Sequence, residues 1–192
     1  MAEATVLFHR ANDAIDPTEH AVGPWSDERL HGGAVAGLLA EVIEPHRPPE
    51  QQVGVFRLEL FGPVPFVRLR PKAEVVRTGK KMSVIDASLS DETTVLARAT
   101  AITVRAGSGG GPDAISNVDS GRPDDGVEPP SRVRSSSPFF AGIDFRVLEG
   151  GLGAPGPARL WARINHVWFA GETPTPVTRL LAVADSAYGY GM

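Results

Sequence analysis

The chain has 192 residues, 42% of them hydrophobic and 22% charged, a formal net charge of −4 and no cysteine. That is an ordinary globular composition, long enough for one domain or two small ones, and its acidic balance leaves no basic footprint for nucleic acid. Disulfides, thiolate chemistry and cysteine-based zinc sites are excluded. The start, MAEATVLFHR, carries Glu3 and lacks a basic segment followed by an apolar run, so no signal peptide is expected. No apolar run is long enough to span a bilayer, and a cytoplasmic placement is the simplest expectation.

In chain order, residues 4–10 read as a short strand, followed by a polar, turn-rich stretch through Ser26 and Asp27. Gly32 and Gly33 open a predicted helix that runs to about Ile43 and is stopped by Pro45, Pro48 and Pro49. Val35, Leu38, Leu39, Val42 and Ile43 form its apolar stripe. Four extended segments follow, over 53–61, 68–78, 81–89 and 95–105, and their turn chemistry favours an antiparallel meander. Strand, helix and then consecutive strands predict an α+β fold with one helix packed on a sheet face. The TGKK run is not a phosphate-binding loop, because Glu74 stands where its first glycine is required. Arg77, Lys80 and Lys81 cluster at a turn, where charge is usually solvated.

Composition divides the chain into 1–106, a Gly/Pro/Ser-rich stretch at 107–137 read as a linker or long loop, and 138–192. In the last part, 139–148 and 159–169 read as strands, with Leu160, Ala162, Ile164, His166 and Trp168 on one face of the second. A helix is predicted from about Thr175 to Ala187. It repeats the first: matching the shared Leu-Leu-Ala sets Leu38, Leu39 and Ala40 opposite Leu180, Leu181 and Ala182, and places Asp185 on the position of Ile43. A carboxylate on a buried stripe is costly to desolvate unpaired, which makes Asp185 a site candidate. Little strand-forming sequence follows this helix, so 138–192 is expected to be a partial second domain.

The runs RLHGGAVAGLLAEV and FRLELFGPVPFVRLRPKAEVVRTGKKMSVIDASLSDETTVLARATAITVR, with LWARINH and LLAVADSA later, resemble the acyl-CoA thioesterase II group, in its actinobacterial thioesterase-like branch. The resemblance implies two tandem hotdog units, an antiparallel sheet wrapped around a central helix, with the second unit incomplete. It also implies hydrolysis of an acyl-CoA to free acid and CoA without metal or cofactor. In that family an Asp on the second helix orients the attacking water together with a Thr and a Gln from the strands that follow. Asp185 matches the Asp, and nothing in the chain matches the other two.

Such a hydrolase needs a group to position water, donors for the oxyanion and an acyl groove. Asp185 suits the first. His31, Gly32 and Gly33, at a helix start with free N–H groups, suit substrate binding, the alternative being plain helix-start glycines. Glu41 lies off the apolar stripe and is expected on a solvated face. His166 is expected as a buried, hydrogen-bonded histidine, and Trp25, Trp161 and Trp168 as core or acyl-tunnel lining. Two other functions compete: an acyl-CoA-binding fragment without catalysis, and another hotdog chemistry such as enoyl-thioester hydration. A homodimer or higher homo-oligomer is expected, since open sheet edges invite a partner.

Overall fold

The computed structural model describes residues 5–107, 121–151 and 155–185. Near the N-terminus, β1 (Phe8–Ala11) and β2 (Ala14–Pro17) form a hairpin whose two-residue turn is Asn12-Asp13, with Asn12 at φ 56°. Asn tolerates this left-handed conformation, which a two-residue hairpin turn requires. The sequence reading of a single strand followed by irregular chain missed this return strand.

The predicted helix forms as α1 (Gly32–Ile43), and the four extended segments form β3 (Gln51–Leu60), β4 (Arg70–Arg77), β5 (Met82–Ser90) and β6 (Val95–Arg105). All pairings are antiparallel, but the order is β3-β6-β5-β4, not a simple meander. β3 pairs with β6, so residues 61–69 must carry the chain from one sheet edge to the other. Arg29 bridges Pro65 on the way, and Ile15 bridges Leu69.

Alternation in β5 and β6 turns Ile85, Ala87, Leu89, Ala97, Ala99 and Ala101 to one buried face. Val35, Leu38, Leu39 and Ile43 of α1 pack on it. Alanines along β6 leave room for the helix to sit close. Where the buried rows end in Ser83 and Thr103, polar groups are paired: Thr103 Oγ1 donates to Gln51 Oε1 at 2.6 Å, and Gln51 Nε2 donates to the Gly79 carbonyl at 2.7 Å.

The second part differs from its predicted strands in two places. Residues 139–148 divide into α3 (Pro138–Ala141) and β7 (Ile143–Glu149). Ser137 caps α3, its Oγ accepting the Phe140 N–H at 3.2 Å, and Pro138 suits the first turn, where no N–H bond is needed. The second strand, β8 (Arg159–Ile164), stops short of Phe169. Beyond it Val167 bridges Val6 in parallel, and the Leu7 and Phe8 N–H groups donate to the Val167 and Trp168 carbonyls at 2.9 and 3.0 Å.

Part of the presumed linker is built into this region. A four-residue helix, α2 (Ser131–Arg134), precedes α3, and Val127 bridges Val147 of β7. The rest of the stretch, 108–120, lies outside the described residues.

The last helix, α4 (Pro176–Ala184), lies against α1. The last two positions of the predicted helix, 186–187, lie outside the described residues. Phe139, Ile143, Phe145, Trp168 and Ala182 join α1 and the sheet in one core cluster. Helix α1 is therefore covered by the sheet on one side and by the second part on the other. Leu180 on α4 is 67% exposed, with no sheet over it among the described residues.

Candidate functional site

The N-terminus of α1 meets the C-terminus of α4. His31 caps α1 with its ring: Nδ1 accepts the Gly33 N–H at 2.9 Å, which puts the imidazole proton on Nε2. The ring is buried and stacked on Phe139 with centroids 4.3 Å apart. Burial pulls its pKa down to about 4, so it is neutral in ordinary buffers.

Asp185 ends α4 as its C-cap residue, with its side chain 32% exposed. A Cβ added to Gly32 would stand 2.6 Å from its Oδ2 and 2.7 Å from its Oδ1, so only glycine admits the carboxylate here. A Cβ on Gly33 would run into the Ala182 carbonyl of α4. The two glycines let the helices approach closely enough to bring the acid to the helix start. Burial raises the Asp185 pKa, and the Gly33 N–H partly offsets this by favouring the carboxylate.

Asp185 Oδ2 lies 3.6 Å from His31 Nδ1. This is not an ion pair, since a neutral His31 offers only a lone pair at that nitrogen, so both atoms are acceptors competing for the Gly33 N–H. Gly33 is thus already engaged. Among the described residues the N–H of Gly32 has no hydrogen-bond partner, and a helix N-terminus favours negative charge at such a group.

The four residues singled out from the sequence, His31, Gly32, Gly33 and Asp185, are therefore brought together. The alignment that singled out Asp185 needs correction. Matched by their N-caps, His31 and Thr175, the helices pair Asp185 with Glu41, not with Ile43. The burial pattern agrees with this register, since Ala34 and Thr178 are both fully buried, as are Leu38 and Ala182. The shared Leu-Leu-Ala is two positions out of structural register.

Glu41 is half-buried between α1 and α4, not on a solvated face. Burial raises its pKa, opposed by the Thr178 hydroxyl and the Thr175 N–H. His166 is buried, with Nε2 2.8 Å from the Phe139 carbonyl, and braces the ring on which His31 stacks. Only one tryptophan is core: Trp168 lies over Gly37 and donates from Nε1 to the Ala34 carbonyl at 3.0 Å. Trp25 is 87% exposed and Trp161 39%, against the expectation of core or tunnel lining. Arg77, Lys80 and Lys81 are exposed.

Residues 21–104 match the family described as the acyl-CoA thioesterase N-terminal domain. Among solved structures, a conserved protein of unknown function with a hotdog fold from Alicyclobacillus acidocaldarius superposes with a TM-score of 0.68 at 16% identity, covering 93% of this chain and 66% of that one. A candidate thioesterase from Novosphingobium aromaticivorans gives 0.63 at 22% identity, over 95% of this chain and 72% of that one. The acyl-CoA thioesterase II TesB2 from Mycobacterium marinum gives 0.57 at 18% identity, over 94% and 66%. The chain thus spans 66% of the length of the first and third of these proteins. No curated protein matches it. The α+β hotdog architecture expected from the sequence is borne out, and so is the resemblance to the acyl-CoA thioesterases.

Proposed function

We propose that this chain, whose residues 21–104 form a hotdog domain of the acyl-CoA thioesterase type, hydrolyses acyl-CoA thioesters where α1 and α4 meet. The observation that carries the reading is the Asp185 carboxylate held against Gly32 at the α1 N-terminus. Asp185 takes a proton from a water as its oxygen adds to the thioester carbonyl carbon. The oxyanion forms toward the Gly32 N–H, where the helix dipole favours it. The carbon–sulfur bond then breaks, and Asp185 gives the proton it took from water to the leaving sulfur, releasing thiol and free acid and restoring the carboxylate. His31 supplies no proton above its pKa of about 4; it holds the Gly33 amide and fixes the helix start.

Because the Asp185 pKa is raised, the rate is expected to fall on acidification through a midpoint above the ordinary 3.8. Self-association belongs to the same proposal, since β3 and β4 are the outer strands of the four-stranded sheet and, among the described residues, no further strand pairs with them. Sedimentation at a dimer mass or above checks it, and a monomer at all concentrations contradicts it. Acyl-CoA binding without turnover is the second reading. It is favoured by the Gly33 N–H being the one donor found at Asp185 among the described residues. Free-thiol release from a medium-chain acyl-CoA separates the two: release above background supports hydrolysis, and binding with background release supports the second reading.

A further inference from the structure

The candidate site uses one end of a helix pair whose two ends are alike. Glu41 stands ten positions after the cap of its own helix, His31, and Asp185 ten positions after the cap of its own, Thr175. The helices run antiparallel, so each acid meets the first turn of the other helix. Asp185 meets Gly32 and Gly33, while Glu41 meets Thr175 and Thr178.

The ends differ in what fills them. Bare glycines open the Asp185 end. At the Glu41 end Pro176 and Val177 take their places, and Thr175 Oγ1 lies 2.9 Å from Thr178 Oγ1 and accepts the Thr178 N–H at 3.1 Å. Glu41 Oε1 is sealed from water without a hydrogen-bond partner, and Glu44 and Glu172 both press the carboxyl toward its neutral form. An acid kept under those conditions needs a reason that apolar packing would not supply.

We propose that Glu41 is a positioning residue for Asp185, seating the first turn of α4 so that the last residue of that helix arrives at Gly32 and Gly33. The inference rests on the reading of Asp185 given above. Helix α4 has nine residues, a stiff rod about 13 Å long. The Ala182 carbonyl against Gly33 fixes one point along it, toward its C-terminal end. Glu41, acting on Thr175 and Thr178, supplies the second point. A displacement of about 1 Å at a reacting group can cost on the order of 10²-fold in rate, so a slip at Thr175 would be felt at Asp185.

The test is a carbon-13 NMR titration of the Asp185 carboxyl in the full chain, with the Gly33 amide as reporter and thiol release in parallel. Glu41→Ala is expected to lower the Asp185 midpoint toward 3.8 as water reaches the loosened helix end. It should also abolish the Gly33 amide response and lower kcat by roughly 10-fold or more with KM unchanged. Glu41→Gln, which keeps a carbonyl acceptor, retains the wild-type midpoint. Thr178→Val exchanges the hydroxyl for a methyl of similar size, is expected to shift the midpoint the same way to a smaller extent, and serves if Glu41→Ala does not fold. An Asp185 midpoint and Gly33 response unchanged in Glu41→Ala, or in Thr178→Val where Glu41→Ala does not fold, overturn the proposal. A wild type that releases no thiol would remove the hydrolase reading, yet the titration would still decide whether Glu41 places Asp185.

Discussion

His31 caps a helix, and its burial has a measurable cost. Its folded pKa of about 4 lies below the ordinary 6.5, so the unfolded chain binds the proton more readily between those values. Stability contributed by the neutral ring is fully present above pH 6.5 and is lost as the pH falls toward 4. The span corresponds to about 3 kcal/mol. Asp185 acts oppositely, since its raised pKa adds stability that is lost as the pH rises through its folded value. His31→Asn keeps a capping side chain and removes the titrating ring. Urea denaturation from pH 7 down to 4.5 is expected to show a flatter dependence in that variant than in the wild type, and equal slopes would show that His31 is not the group responsible. The His31-Gly32-Gly33 run was legible in the sequence as a helix start, whereas Asp185 was singled out through an alignment two positions out of register, its structural counterpart being another acid, Glu41. Glu41 itself was not legible. A carboxylate off the apolar stripe looks solvated until a second helix crosses it, and that contact lies 134 to 137 positions away with no periodic trace.

At the scale of elements, small residues set how the helices meet. A Cβ on Gly37 would collide with the Trp168 indole, and one on Gly33 with a backbone carbonyl that has little freedom to yield. Replacing glycine by alanine in a helix interior gains about 1 kcal/mol in propensity, whereas overpacking a core costs about 1–3 kcal/mol. Overpacking prevails here, because an indole and a main-chain carbonyl must both move as rigid groups. Gly37→Ala and Gly33→Ala are each expected to lower the urea midpoint, Gly33→Ala also displacing Asp185, and a raised midpoint in either would contradict the packing described. The helix α1 and strands β3 to β6 were legible from stripes, prolines and turns. The order β3-β6-β5-β4 was not, since local alternation is the same whichever neighbour a strand takes. The start of α3 was hidden by the apolar Phe139 and Phe140, although Ser137-Pro138 is a helix-start signal.

For the whole molecule, composition suggested two units joined by a linker, yet α1, the sheet, β7 and Trp168 share one core. Thermal unfolding is therefore expected as one transition, with far-ultraviolet circular dichroism from the sheet and fluorescence from buried Trp168 changing together. Two separated transitions would show that 138–185 folds apart from 1–106. The shared core matters for chemistry, because it presses α4 onto α1 and brings a carboxylate to a glycine-lined helix start. The most direct measurement is thiol release from a medium-chain acyl-CoA by the wild type and by Asp185→Asn, side by side at pH 7. The wild type is expected to release thiol above background and the variant on the order of 10²-fold more slowly, with its unfolding midpoint essentially unchanged. Equal rates for the two proteins would contradict that expectation.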